Sequence, residues 1–66
     1  MRFELVYKKN NKYKEKYSIS RNNIEEAIRY FKDNLPNDNK EYSIRIIKPV
    51  AYYYDLEGNE KNIIKV

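Results

Sequence analysis

The fold is decided by residues 22–36, which read NNIEEAIRYFKDNLP. In this stretch apolar side chains recur at the three- and four-residue spacing that makes one continuous stripe along a helix. The stripe consists of Ile24, Ala27, Ile28, Phe31 and Leu35. The charged residues of this stretch, Glu25, Glu26, Arg29, Lys32 and Asp33, point away from the stripe. The pattern therefore predicts an amphipathic helix over residues 22–34, with one face directed at a core.

Both ends of this helix carry recognisable signals. Asn22 or Asn23 supplies a side chain that caps a helix start, and Glu25 or Glu26 follows three residues later in the capping-box position. Acidic residues also suit the positive end of the helix dipole. Pro36 cannot continue a helix, so the chain must leave it there.

Residues 2–20, before the helix, have the pattern of a hairpin. Residues 2–8 alternate, with Phe3, Leu5 and Tyr7 on one face, and the returning strand would place Tyr13, Tyr17 and Ile19 on the same inward face. The asparagines between the strands tolerate the left-handed conformation that tight turns require.

The register of this hairpin follows from the loop length. A two-residue loop at positions 10 and 11 sets Leu5 opposite Lys16 and Tyr7 opposite Lys14, which mixes core with solvent. We therefore predict a three-residue loop over residues 9–11. This register leaves Glu15 opposite Leu5 on the apolar side, which suggests an edge strand.

Residues 41–56, after the helix, are rich in β-branched and aromatic side chains. Pro49 interrupts them without an accompanying Gly, Asn or Asp, so we predict one bent strand or two nearly collinear strands. The chain's single glycine, Gly58, marks a turn before a C-terminal strand over residues 60–66. A two-residue loop there pairs Tyr54 with Ile63, and a three-residue loop pairs Tyr52 with Ile64.

The elements add up to an α+β fold of one domain, residues 1–66. Their order is β-β-α-β-β(-β), with one helix packed on one face of a curved, mainly antiparallel sheet. A core this small supplies only about 3–5 kcal/mol, and with no Cys or His the chain has neither disulfides nor the commonest metal ligands. Self-association as a homodimer is therefore one expected route to stability.

The residues that most enzymes use are scarce. Without His or Cys, the usual general base and both thiol chemistries are missing. The adjacent Glu25 and Glu26 are explained by helix capping. We expect no enzymatic activity, no cofactor and no metal. The longest apolar run, Val50–Tyr54, is too short for a membrane span, and an intracellular location is expected.

The first candidate binding surface is the basic hairpin. The net charge of +4 arises entirely within residues 1–16, where six basic residues face two acidic ones. The candidate nucleic-acid contacts are Lys8, Lys9, Lys12, Lys14 and Lys16, with Tyr13 and Tyr17 as stacking faces. Lysines on an edge strand also guard against aggregation, and that explanation stays open.

The second candidate surface is the tyrosine run near the C-terminus. In a strand Tyr52 and Tyr54 point to one side and Tyr53 to the other, so both faces carry an aromatic side chain. Ile47 and Ile63 add apolar surface beside them. These five residues form either a protein-binding surface or a second packed layer.

Lys, Asn, Ile and Tyr make up more than half of the chain, as is typical of a low-GC genome. Together with the small size and the hairpin-helix-hairpin plan, this composition resembles accessory proteins encoded by phages and mobile elements. The resemblance implies an inhibitor or adaptor that binds a host protein, such as a nucleic-acid-processing or defence protein. We therefore expect a protein-binding module first, a nucleic-acid-binding module second, and a dimer that encloses a small nucleotide third.

Overall fold

The structure, a computed structural model, describes residues 1–48 and 50–61. One sheet contains four antiparallel strands in the spatial order β2-β1-β3-β4, and one helix packs on one of its faces. The elements are β1 (Arg2–Lys9), β2 (Lys12–Ser20), α1 (Ile24–Asp33), β3 (Tyr42–Lys48) and β4 (Val50–Tyr54). The predicted α+β class, with a helix across a curved antiparallel sheet, is confirmed.

The start of α1 is capped as the sequence predicts. The Asn23 side-chain oxygen accepts a hydrogen bond from the backbone N–H of Glu26 at 3.0 Å. At the other end the backbone N–H of Asn34 donates to the carbonyl oxygens of Tyr30 and Phe31. No helix in the described ranges has the length and apolar character needed to cross a bilayer.

The main core lies between α1 and the sheet. Ala27 and Phe31 of the helix are fully buried against strand residues. Those strand residues are Phe3, Leu5, Tyr42, Ile44 and Ile46. Leu35 was predicted to extend the helical stripe, but it is exposed because the helix ends at Asp33, before the last position of the stripe.

The first hairpin turns through two residues, so the predicted three-residue loop is wrong. Lys9 pairs with Lys12, and Asn10 and Asn11 between them have φ values of 53° and 63°. Two successive left-handed residues give a turn whose twist matches that of the flanking strands. Asparagine tolerates this conformation better than most residues do, which explains the Asn-Asn pair.

A β-bulge removes the conflict that argued against the short loop. The register shifts between Leu5 and Val6, so that Val6 pairs with Glu15 while Leu5 pairs with Tyr17. Lys16 is the extra residue of β2. The bulge moves Glu15 away from Leu5 and the apolar face, and it returns Tyr17 to that face.

The bulge also reverses one predicted orientation. Tyr17 and Ile19 pack against the core as expected. Tyr13 lies beyond the bulge and pairs with Lys8, so its side chain projects from the face opposite the helix. The prediction that Tyr13 points inward is therefore wrong, because one inserted residue inverts the alternation.

Strands β3 and β4 do not form the predicted bent or collinear strand over residues 41–56. The chain reverses between them, and β4 pairs antiparallel with β3 through Ile44–Tyr54 and Ile47–Ala51. Pairing brings Tyr54 beside Ile44, where its ring packs against the core. This gain in burial outweighs the lack of turn-forming residues. Pro49 itself lies outside the described residues.

A turn over residues 55–59 follows β4. Asp55 organises it, since its carboxylate accepts hydrogen bonds from the backbone N–H groups of Glu57 and Asn59, each at 2.9 Å. Gly58 has a φ of 91°, and a Cβ at this position would lie 3.3 Å from the Ile28 side chain. The positive φ therefore favours glycine at this position, and any larger residue would also press on the end of the Ile28 side chain.

The chain after this turn returns along β4 in a register different from both predicted ones. Tyr54 forms a bridge with Glu60, and the backbone N–H of Lys61 donates to the Tyr53 carbonyl at 2.8 Å. The turn contains five residues rather than two or three. The predicted C-terminal strand over residues 60–66 lies outside the described residues beyond Lys61.

Candidate anion-binding site

The face of the sheet opposite α1 has a small packed layer of its own. Val6 and Ser43 pair across β1 and β3 on this face, and both are buried. Tyr13 from β2 and Tyr53 from β4 stack with ring centroids 4.3 Å apart. Since β2 and β4 are the outer strands, the two rings must lean inward across β1 and β3 to meet. The tyrosine pair therefore closes this layer.

An ion pair lies on the same face, next to the tyrosine layer. Arg45 Nε donates to Glu4 Oε1 at 2.6 Å, and both side chains are largely buried. Burial alone would raise the pKa of the Glu4 carboxyl, but the Arg45 hydrogen bond and charge outweigh it and hold the pKa below its ordinary value. Glu4 is thus a carboxylate that neutralises Arg45.

The first hairpin projects past the end of its neighbour β3. Pairing between β1 and β3 stops at Tyr7–Tyr42, so Lys8 and Lys9 pair only with β2. A cavity of about 670 Å³ opens between this projecting part and the segment that leads into β3. Its lining residues are Tyr7, Lys8, Lys9, Tyr13, Lys40, Glu41, Ser43 and Lys61.

The cavity is strongly basic. Four lysines face one glutamate in its lining, and they come from three separate parts of the chain. Two of them, Lys8 and Lys9, belong to the predicted basic hairpin. Lys40 and Lys61 were not predicted, because only the pairing of β3 with β1 and β4 brings them to the hairpin.

Each of three ammonium groups rests against a wall of the cavity. Lys8 Nζ lies 5.7 Å from the centroid of the Tyr13 ring, and Lys40 Nζ lies 4.7 Å from that of Tyr7. These distances are typical of cation–π contacts. Lys61 Nζ donates a hydrogen bond of 2.7 Å to the hydroxyl oxygen of the buried Ser43.

The segment that presents Lys40 is anchored by Asp38. Its carboxylate accepts hydrogen bonds from the Tyr42 hydroxyl at 2.6 Å and from the Lys40 backbone N–H at 3.2 Å. Burial and the bond to Asp38 raise the pKa of Tyr42 to about 12. The Tyr42 hydrogen bond in turn lowers the pKa of Asp38. Asp38 Oδ2 also lies 3.7 Å from Lys40 Nζ, so an ion pair helps to hold Lys40 in the lining of the cavity.

The remaining predicted nucleic-acid contacts lie elsewhere. Lys12, Lys14 and Lys16 are exposed on the hairpin and do not line the cavity. Tyr17 lies on the helix side of the sheet, where its hydroxyl donates to the Asn34 carbonyl at 2.9 Å. Tyr17 is therefore part of the core packing and offers no face to a ligand in the cavity.

The predicted protein-binding residues divide between the two faces. Tyr53 lies opposite the helix in the stack with Tyr13, whereas Tyr54 packs against the core. Tyr52 is 43% exposed and Ile47 is 62% exposed, near the turn between β3 and β4. Ile63 lies outside the described residues. The structure thus places Tyr52 and Ile47 at the surface and the other two tyrosines within packed layers.

The groups that line the cavity are suited to attracting an anion. Ser43 contributes a hydroxyl oxygen that accepts the hydrogen bond from Lys61. The lysine charges offer electrostatic attraction, and the tyrosine rings offer flat apolar walls.

Comparison of the chain with models of protein families, with curated proteins and with solved structures found no match. Its function is therefore inferred from the site itself.

Proposed function

We propose that this protein is a non-catalytic binding module for nucleic acid, and that the lysine-lined cavity holds a phosphate of the ligand. The observation that carries this proposal is the convergence of four lysines from three chain segments on one concave site. Like charges held together in a cleft focus a positive potential, which attracts anions and strengthens their binding.

The aromatic walls favour nucleic acid over other anionic partners. Tyr7 and Tyr13 line the same cavity as the lysines, and basic residues interleaved with aromatic rings are typical of proteins that bind nucleic-acid strands. The charge distribution agrees, since the isoelectric point is 9.3 and the net positive charge is concentrated in the hairpin that forms one side of the cavity.

The test is the salt dependence of oligonucleotide binding, followed by fluorescence anisotropy. We expect the double variant Lys8→Gln/Lys61→Gln to bind at least tenfold more weakly at low salt. The slope of log affinity against log salt should fall by about 1 for each lysine removed. Arg29→Gln/Lys32→Gln removes the same charge from exposed positions of the helix and serves as the control.

Two results would contradict the proposal. One is wild-type protein that binds no oligonucleotide at low salt. The other is an equal loss of affinity in the helix control, because this would show that only net charge matters. Circular dichroism checks that both double variants keep the fold.

A second candidate function is protein binding at the other end of the sheet. Ile47, Val50 and Tyr52 are all substantially exposed around the β3–β4 turn. Ile47 lies on the face opposite the helix and the other two lie on the helix side, so apolar surface is exposed on both faces at this end of the sheet, as at many interaction surfaces. The inhibitor role implied by the resemblance to phage and mobile-element accessory proteins would use this surface, and so would a homodimer.

Self-association through this surface is measurable by light scattering. If a second copy of the chain is the partner, we expect a dimer mass for the wild type and a monomer mass for Ile47→Lys. A monomeric wild type at high concentration would exclude the homodimer.

A further inference from the structure

We infer that the cavity accommodates one unpaired nucleotide, with its base against a tyrosine ring and its phosphate among the lysines. The protein would then prefer single-stranded to duplex nucleic acid. This inference rests on the proposed function and specifies its ligand.

The dimensions of the site support a single nucleotide. A volume of about 670 Å³ lies within the range of pockets that enclose small ligands and cofactors, roughly 300–1,000 Å³. Bases in a duplex are stacked and paired inside the helix, so a concave site of this size meets only their sugar-phosphate backbone. An unpaired base can leave the strand and enter.

The tyrosine rings that line the cavity are held in place by other aromatic rings before a ligand binds. Tyr13 is held on one side by its stack with Tyr53 at 4.3 Å. Tyr7 lies on the helix side of β1, where it packs against the core and makes an edge contact with Tyr42, with ring centroids 5.8 Å apart. Rings that are already fixed lose little conformational freedom when a ligand binds, and such preorganisation favours affinity.

The lysines over these rings give the inference its specificity. Lys8 lies over the ring of Tyr13 and Lys40 over that of Tyr7, so both tyrosines that line the cavity contact an ammonium group. A nucleotide can satisfy both groups of such a contact. Its base stacks on the ring in place of the ammonium group, and its phosphate binds the ammonium group that is displaced. A phosphate alone would leave the ring uncovered, and a duplex backbone offers no free base.

The experiment compares ligands on the wild-type protein and so does not depend on any variant. A labelled single-stranded oligonucleotide of about 12 nucleotides is bound, then displaced by the same unlabelled strand, by its duplex, by a mononucleotide or by inorganic phosphate. We expect the single strand to bind at least tenfold more tightly than the duplex. The mononucleotide should compete better than inorganic phosphate.

The mononucleotide result also identifies the source of the ligand. Competition equal to that of the strand supports the inference with a free nucleotide as ligand. If the mononucleotide competes much more weakly than the strand, but still better than inorganic phosphate, the inference is supported with a nucleic-acid strand as ligand. Equal competition by inorganic phosphate overturns it, because the base is then not recognised.

A tyrosine variant tests the role of the ring. We expect Tyr13→Leu to weaken single-strand binding about 5- to 150-fold, the effect of losing one base–aromatic stack, with no change in the salt slope or in duplex binding. Tyr13→Phe should restore binding. Tyr52→Leu, at the other end of the sheet, is the matched control.

Failure of the inference and failure of the proposed function give different results. Duplex binding that equals or exceeds single-strand binding, together with lysine-dependent salt slopes, overturns the inference and leaves the proposed function standing. Absence of binding to any oligonucleotide overturns both.

Discussion

The face of the sheet beneath α1 and the face opposite it bury their side chains by different means. Under the helix, aliphatic and aromatic residues from all four strands pack with Phe31 and Ala27. On the opposite face, Val6 and Ser43 are buried on the same side of the sheet as a stacked pair of tyrosines and an ion pair. The first face is mainly apolar, with tyrosine hydroxyls bonded at its edges, whereas the second mixes apolar, polar and charged groups.

This difference suggests that one face of the sheet provides most of the folding free energy and the other provides the binding site. Apolar burial is the main source of folding free energy, and the face under the helix has most of it. The opposite face has a polar layer that opens into the lysine cavity, where charged groups remain accessible. We therefore expect substitutions under the helix to unfold the protein and substitutions opposite it to change binding first.

The largest expected effect tests this division directly. Phe31→Ala should cost about 3–5 kcal/mol, which approaches the whole stability of a core this size, so the variant should be largely unfolded. Val6→Ala, on the opposite face, should cost about 1–3 kcal/mol. Urea denaturation measures both, with the exposed Leu35→Ala as control. An equal cost for Phe31→Ala and Val6→Ala would contradict the division.

A smaller effect is expected at the ion pair. Glu4→Gln should destabilise the protein by about 1–3 kcal/mol, because Arg45 loses its charged partner in a largely buried place. The exposed Glu60→Gln is the control and should have little effect.

The contribution of the Glu4–Arg45 pair to the free energy of unfolding should depend on pH in the acid range. The pKa of Glu4 is lowered in the folded protein, so its contribution to stability is complete above the ordinary glutamate value, about 4.3. It is lost as the pH falls through the folded pKa. Denaturation at neutral and acidic pH should therefore show the gap between wild type and Glu4→Gln narrowing in acid. A gap that widens would contradict this assignment.

The smallest effect concerns the tyrosine stack. A double-mutant cycle on Tyr13→Ala and Tyr53→Ala should give a coupling free energy of about 0.5–1.5 kcal/mol. Both single variants should remain folded, since neither ring belongs to the core under the helix. Coupling near zero would mean that the two rings cover the opposite face independently.

The fold was predictable where local patterns repeat. The stripe from Ile24 to Phe31 and the cap at Asn23 were read correctly because helix periodicity and capping depend on near neighbours. The loop of the first hairpin was misread because the bulge at Lys16 restores the alternation that a two-residue loop otherwise breaks. A bulge leaves no signal in an alternation pattern unless its partner strand is known.

The candidate site was only half predictable. Lys8, Lys9 and Tyr13 were found because they are close in sequence and lie in a basic segment. Lys40 and Lys61 have no basic neighbours in the sequence. Only the long-range pairing of the strands brings them to the cavity. The reversal between β3 and β4, which places Lys61, was itself missed since the segment lacks Gly, Asn and Asp.

The stack of Tyr13 on Tyr53 joins the first hairpin to the last strand, and this has a consequence for the order of folding. Contacts between distant parts of a chain form late, since a long loop must close before they are gained. The first hairpin can turn on its own as soon as it is synthesised, but Lys61 reaches Ser43 only after β4 has docked. The complete cavity is therefore a property of the finished fold, and a nascent chain would present a basic hairpin without it.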